Sequence, residues 1–354
     1  MHGLIQKPLP KPEEMDRLIQ SAVESGADEG KLRSLASQGT VKLLTAPEIL
    51  FAWQRTWPEN ANMPELVLAV ETGYTDRVLA LLSRGDDPDA KRADGMTSLM
   101  RAAVTGRETV ARYLLAAGAR TNTQALDGRT ALMFAAYAGN TVIANLLLEA
   151  HADVNTPAHD GLTALMLAAR SGNSELVSAL LQRGGEVNAR ATNGWSALMH
   201  AAQGGYPDIV ERLLHAGAVT DAADQYGQTP LIAAAHSAAV LKVLLNAGAQ
   251  VNTRAMDGET PLMRAVADDQ SLIPGDFEAI SLLLAHGANV NLADNQGRTA
   301  LMKACAYDDP GIIRLLMEYG ANPNVKDKKG NTPFSIAAGA GNERVIAELK
   351  RREQ

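Results

Sequence analysis

Cysteine is almost absent. Cys305 is the one thiol in 354 residues, which excludes an internal disulfide and any cysteine-built zinc site. One thiol in a chain of this length also fits a reducing compartment. Large rings are scarce at 4% of residues, so Ala, Leu, Val and Met must fill the interior. That set suits closely packed helices better than a β-sandwich. Positive charge is not in surplus either. The formal charge is −7, and an acidic chain lacks the basic face on which nucleic acids and anionic membranes are held. No run approaches the roughly 18 apolar residues that span a bilayer. The opening MHGLIQKPLPKPEEMDRL, interrupted by prolines, has no apolar core of a signal peptide. A cytoplasmic location is therefore expected.

What is present is ordinary in kind and unusual in order. Apolar residues make up 46% and charged residues 21%, as in soluble folded proteins. The length exceeds one compact core, so two domains or a repeat array is expected. Internal periodicity decides for the array. A turn glycine recurs at Gly95, Gly128, Gly161, Gly194, Gly227, Gly258, Gly297 and Gly330, at intervals of 33, 33, 33, 33, 31, 39 and 33. A second series follows the Leu-Leu pairs at Gly85, Gly118, Gly184, Gly217, Gly248, Gly287 and Gly320, with His151 in the one missing slot. Two independent markers share one period and the same two irregularities.

Each unit reads D-G-x-T-x-L-M-x-A-A-x-x-G, followed by an apolar stretch ending L-L-x-x-G-A-x-x-N. In the clearest copy Asp160-Gly161 makes a tight turn, and Thr163 caps the first helix. Leu165, Ala168 and Ala169 share a helical face. Gly172 breaks that helix, Glu175 to Leu181 forms a second, and Gly184 ends it. The product is turn, helix, turn, helix.

This pattern resembles the ankyrin repeat, whose period is 33 and whose first helix opens T-P-L-H-x-A. The matching segments begin at Thr97, Thr130, Thr163, Ser196, Thr229, Thr260, Thr299 and Thr332. The expected fold is an all-α ankyrin solenoid, capped at both ends. Residues 1–62 form an N-terminal helical capping segment with a degenerate repeat at 13–39, and residues 63–354 an array of about nine units. The family's histidine is replaced by Met100, Met133, Met166, Met199, Met263 and Met302. These are expected to fill the core, because stacked repeats hold equivalent residues roughly 8–10 Å apart, too far for a shared metal. No cofactor and no metal are expected.

The resemblance implies a partner protein held by the hairpin tips and the concave face of the first helices. Carried over position by position, the candidate contacts are Met96, Leu126, Arg129, Tyr137, His159, Leu162, Arg170, Trp195, Gln203, Tyr226, His236 and Tyr307. Apolar and aromatic tips are where binding hot spots arise; the alternative reading is that they pack on neighbouring hairpins. Two further features stay open. Acidic loops at 268–276 and 307–310, with Asp268, Asp269, Asp276, Asp308 and Asp309, are either a knob for a basic partner or drifted solvated loops. The segment 51–57, with Phe51, Trp53 and Trp57 on a helix from Thr45, either covers the open end of the core or anchors a partner.

Catalysis has little to stand on. No H-E-x-x-H, G-x-S-x-G or phosphate-binding loop occurs, and Cys305 takes an Ala slot of the helix signature, which predicts a buried, inert thiol. The expected function is non-catalytic protein binding by a monomer: an adaptor, scaffold or inhibitor. The alternative is a small-molecule or enzymatic role carried by the N-terminal segment, with the repeats as a mount.

Overall fold

The computed structural model describes residues 10, 12–24, 26–37, 48, 51–52, 63–267 and 276–351. The Thr45 helix start, Trp53, Trp57, Asp268 and Asp269 lie outside the described residues. Twenty helices occur among the described residues, with no strand beyond two isolated antiparallel bridges, Lys91–Thr97 and Ala293–Thr299. The chain divides into two compact units, Met1–Ala152 and Asp153–Gln354.

The first unit contains α1 (Pro12–Glu24), α2 (Glu29–Ser37), α3 (Glu65–Thr72), α4 (Thr75–Arg84), α5 (Ser98–Thr105), α6 (Glu108–Ala116), α7 (Ala131–Ala138) and α8 (Thr141–Glu149). First helices stack on first helices (α3 on α5, α5 on α7) and second helices on second (α4 on α6, α6 on α8). At the N-terminal end α1 and α2 pack on each other through Leu18, Ile19, Ala22 and Leu32, joined by Ala52. Phe51 is buried edge-on against Tyr74, with ring centres 5.9 Å apart, so this ring is spent on packing.

The second unit repeats the scheme with α9 (Ala164–Arg170), α10 (Ser174–Gln182), α11 (Ala197–Gln203), α12 (Pro207–His215), α13 (Pro230–Ala233), α14 (Ala238–Asn246), α15 (Pro261–Val266), α16 (Phe277–Ala285), α17 (Ala300–Ala304), α18 (Pro310–Glu318), α19 (Pro333–Ala340) and α20 (Glu343–Arg351). Odd-numbered helices stack on odd and even on even.

Local chemistry sets the helix starts. The hydroxyl of Thr163 accepts from Met166 N at 3.4 Å, and Thr97, Thr130, Ser196, Thr229, Thr260, Thr299 and Thr332 do the same in their repeats. Each satisfies a first-turn amide that the helix cannot. Behind them Leu99, Leu132, Leu165, Leu198, Leu231, Leu262 and Leu301 are buried, as are all six substituted methionines. The thioethers are core, as their spacing predicted.

Side-chain amides clamp the repeats together. Asn188 donates from Nδ2 to Gly217 O at 3.0 Å and accepts Val219 N on Oδ1 at 2.9 Å. Asn155 bridges in the same way to Gly184 and Glu186, Asn252 to Gly287 and Asn289, and Asn291 to Gly320 and Asn322. Where aspartate replaces the amide the donated bond is lost and the accepting bond remains, Asp89 from Arg120 N and Asp221 from Gln250 N, with Asp89 also accepting Arg120 Nε at 2.7 Å. The slot where glycine is missing, His151, holds φ +60 and is the one non-glycine among the described residues with positive φ.

Candidate functional site

The hairpin tips are built from main chain. In one repeat Ala158 N donates to Leu162 O and Gly161 N to Ala158 O, both at 2.9 Å. Gly161 has φ +76, and a Cβ there would stand 2.9 Å from Ala191 Cα in the next hairpin, so two independent constraints require glycine. Consecutive tips are then joined by one backbone bond each. In the first unit Leu126 N donates to Asp94 O at 3.0 Å. In the second, Thr192 N bonds Asp160 O, Gln225 N Asn193 O, Met256 N Tyr226 O, Asn295 N Asp257 O, and Lys328 N Gln296 O, at 2.7 to 3.2 Å.

The candidate contacts fall at the expected places on this frame, but their exposure differs. In the first unit Leu126 is 70% exposed at its tip and Tyr137 is 58% exposed near the end of α7, while Met96 and Arg129 are half-buried. In the second unit Tyr226 (58%) stands open on its tip beside Met256 (70%). His159, Arg170, Gln203 and His236 are exposed, whereas Leu162, Trp195 and Tyr307 are half-buried. Leu126, Tyr137, Tyr226 and Met256 are large apolar groups that the fold leaves in water.

Trp195 has a partner within the array. Its Nε1 donates to Asp224 Oδ2 at 3.0 Å, and its ring lies 5.0 Å from that of His200. The other oxygen of buried Asp224 accepts the amides of Tyr226 and Gln228 at 2.8 and 2.9 Å. The indole therefore links one hairpin to the next. His200 beneath it is buried, and its pKa is lowered to about 4 by desolvation and by the charge of Arg170. It is neutral at pH 7.

Charged residues that the sequence did not single out line the same faces. In the first unit Glu71 pairs with Arg92 and, at 3.3 Å, with Arg101 Nε. In the second, buried Glu259 pairs with buried Lys303 and, through Oε2, with Arg264 Nη2 at 2.8 Å. The signal for these pairs was a charge in a helix-face slot that other repeats fill with Phe134 or Leu167.

The irregular repeat opens a cleft. α13 is four residues long, and the chain turns into α14 early because two residues are missing. The space left, about 450 Å³, is lined by Gln203, Gln228, Ile232, Ala233, His236 and Arg264, among others. Two of the expected contacts, Gln203 and His236, are thereby brought to one place.

The loop aspartates have structural partners. Asp276 caps α16, accepting Glu278 N at 3.0 Å, and Asp309 caps α18, accepting Gly311 N at 2.9 Å. Asp308 faces Arg344 at 3.4 Å. Each cap spends a carboxylate oxygen on its own helix. Cys305 is fully buried and burial pushes its thiol up to about 12, as expected for an inert cysteine. Among the described residues no group of His, Cys, Asp and Glu is arranged to hold a metal, and no helix is long and apolar enough to cross a membrane.

Comparison with known proteins agrees with the architecture. Family models described as ankyrin repeats (3 copies) match residues 66–158, 143–224 and 218–294, and one described as ankyrin repeats (many copies) matches 283–337. No curated protein matches the chain. Among solved structures, the human ASB11 ankyrin repeat domain is similar at 26% identity and a TM-score of 0.55, covering 63% of this chain and 98% of that one. Ankyrin repeats are in general protein-interaction modules. With the family models spanning most of its length, the chain belongs to the ankyrin-repeat family.

Proposed function

We propose that this chain is a non-catalytic protein-binding module, an adaptor, scaffold or inhibitor that acts as a cytoplasmic monomer. In this reading residues 1–62 cap an array of about nine repeats at 63–354. The partner is held by the hairpin tips and the adjoining face of the first helices. One observation carries the proposal. Leu126, Tyr226 and Met256 project exposed apolar side chains from tips whose geometry is fixed by main-chain bonds, so the fold does not need these groups and a partner can use them. The perturbed groups His200, Cys305 and Tyr74 sit in different repeats, which supports a binding role over one requiring converging acids and bases.

The test is affinity capture from the native cell extract. Wild type is compared with Leu126→Ala and with Tyr226→Ala/Met256→Ala, each first shown to be folded by circular dichroism. A protein retained by wild type and lost from either variant supports the reading and says which unit carries the contact. Equal capture by all three removes the tips from the proposal.

A further inference from the structure

We propose that Met256 is a site of selective, reversible oxidation by hydrogen peroxide, which turns an apolar hairpin tip polar. The consequence for binding rests on the reading of the tips as a contact surface; the site itself does not. A sulfur lone pair forms the S–O bond while the O–O bond of the peroxide breaks. The products are the sulfoxide and water, with sulfur oxidised and peroxide reduced. Sulfur is openly displayed once among the described residues. The six helix methionines that stand in the histidine slot are at most 1% exposed, Met15 is buried, and Met63, Met96 and Met317 are half-buried. Met256 is 70% exposed. Cys305, the other oxidisable sulfur, is fully buried and kept as the thiol by burial, so it does not compete for the oxidant.

The main chain at Met256 is held from both sides. Its N–H donates to Tyr226 O in the preceding tip at 2.7 Å, and its carbonyl accepts Asn295 Nδ2 from the following tip at 2.7 Å. Within the hairpin, Ala255 N donates to Glu259 O and Gly258 N to Ala255 O, both at 2.9 Å. None of these bonds uses the thioether. Oxidation therefore changes what the tip offers and leaves where it stands. In a buried methionine the same oxygen would enter the core and disrupt it. On the preceding tip Tyr226 is 58% exposed, so the sulfoxide sets a hydrogen-bond acceptor into the apolar surface that these two tips present. A partner selected for that apolar surface is released, and reduction of the sulfoxide restores the contact.

The experiment treats the full chain with limiting hydrogen peroxide at neutral pH and follows each methionine by peptide mapping in a mass spectrometer. Met256 is expected to convert at least about fivefold faster than Met63, Met96 or Met317, and about fiftyfold faster than the buried six. Far-UV circular dichroism stays unchanged while retention on a hydrophobic-interaction column falls. Methionine sulfoxide reductases, one for each epimer, restore that retention. Met256→Leu, which is equally apolar, keeps its retention under the same peroxide. Conversion at Met256 no faster than at the half-buried methionines overturns the proposal. So does an equal fall in retention for Met256→Leu, a loss of helix on conversion, or a sulfoxide that the reductases leave in place. Capture from the native extract judges the tip reading separately. A partner lost from Met256→Ala but kept by the oxidised protein overturns the switch and leaves the tip reading standing. Capture indifferent to the tip variants overturns the tip reading, and the oxidation site then stands on mapping and retention.

Discussion

Replacing Asn188 by alanine removes one rivet between two neighbouring repeats. Two hydrogen bonds disappear, to Gly217 O and from Val219 N, each with a net value of about 0.5–1.5 kcal/mol. The bonds are at the surface, so water satisfies the groups left behind and the expected loss is in the lower half of the sum, about 1–2 kcal/mol. Asn188→Asp keeps the bond from Val219 N but sets a carboxylate oxygen against the Gly217 carbonyl, and it costs about 1 kcal/mol. The reverse change is available in the same chain. Asp221 makes only the accepting bond, from Gln250 N at 3.0 Å. Asp221→Asn supplies the missing donor and is expected to gain about 1 kcal/mol. Urea unfolding followed by far-UV circular dichroism gives the three values, and amide exchange at Val219 should quicken in Asn188→Ala but not in Asn188→Asp, which keeps that bond. Because stability in a repeat array is a sum of unit and nearest-neighbour terms, the effects are local. An Asn188→Ala protein with an unchanged midpoint, or an Asp221→Asn protein no more stable than its parent, would refute the clamp.

Three other outcomes are expected. His151→Gly relieves a side chain from the left-handed region, worth roughly 1–2 kcal/mol, less the extra unfolded-state freedom of glycine, so thermal unfolding should show a net gain of about 0.5–1 kcal/mol. Destabilisation would mean that the imidazole makes a contact of greater value. His200 binds a proton more readily unfolded, near pH 6.5, than folded, near 4. Stability is therefore full above pH 6.5 and falls by roughly 3 kcal/mol as pH drops through that window. His200→Leu should flatten that limb, and an unchanged pH profile would exclude the histidine as its source. Leu180→Asp places an unpaired charge at a site with no exposure, at a cost above about 4 kcal/mol. Urea unfolding should then split into steps as the middle of the array uncouples, and a single undiminished transition counts against it.

The fold was legible because its markers are local and repeated. Thr163 caps, Gly161 turns and Leu165 faces inward for reasons contained within a few residues, and the same reasons recur every 33. The exposure of the candidate contacts was legible only where a residue acts alone: Leu126, Tyr137 and Tyr226 are exposed at the expected positions. It was not legible where a side chain's partner sits one repeat away. Trp195 reads as a binding anchor, and nothing local announces that Asp224, 29 residues on, takes its N–H. The motif ending in asparagine was visible, but that its amide spans two repeats was not. Asp276 and Asp309 read as part of an acidic surface, and each is a cap. The shortened interval of 31 was plain, whereas the cleft it opens depends on which small side chains close in from both sides.

The backbone bonds between consecutive tips have a consequence for change over time. Because Met256 N reaches Tyr226 O, and Lys328 N reaches Gln296 O, through main chain alone, these two links use atoms that every residue type except proline supplies in full. Exposed side chains such as Tyr226 and Met256 can be exchanged without breaking those links. Such a surface can acquire a new partner by substitutions that leave folding untouched, and its evolutionary freedom is greatest where its geometry is most rigid.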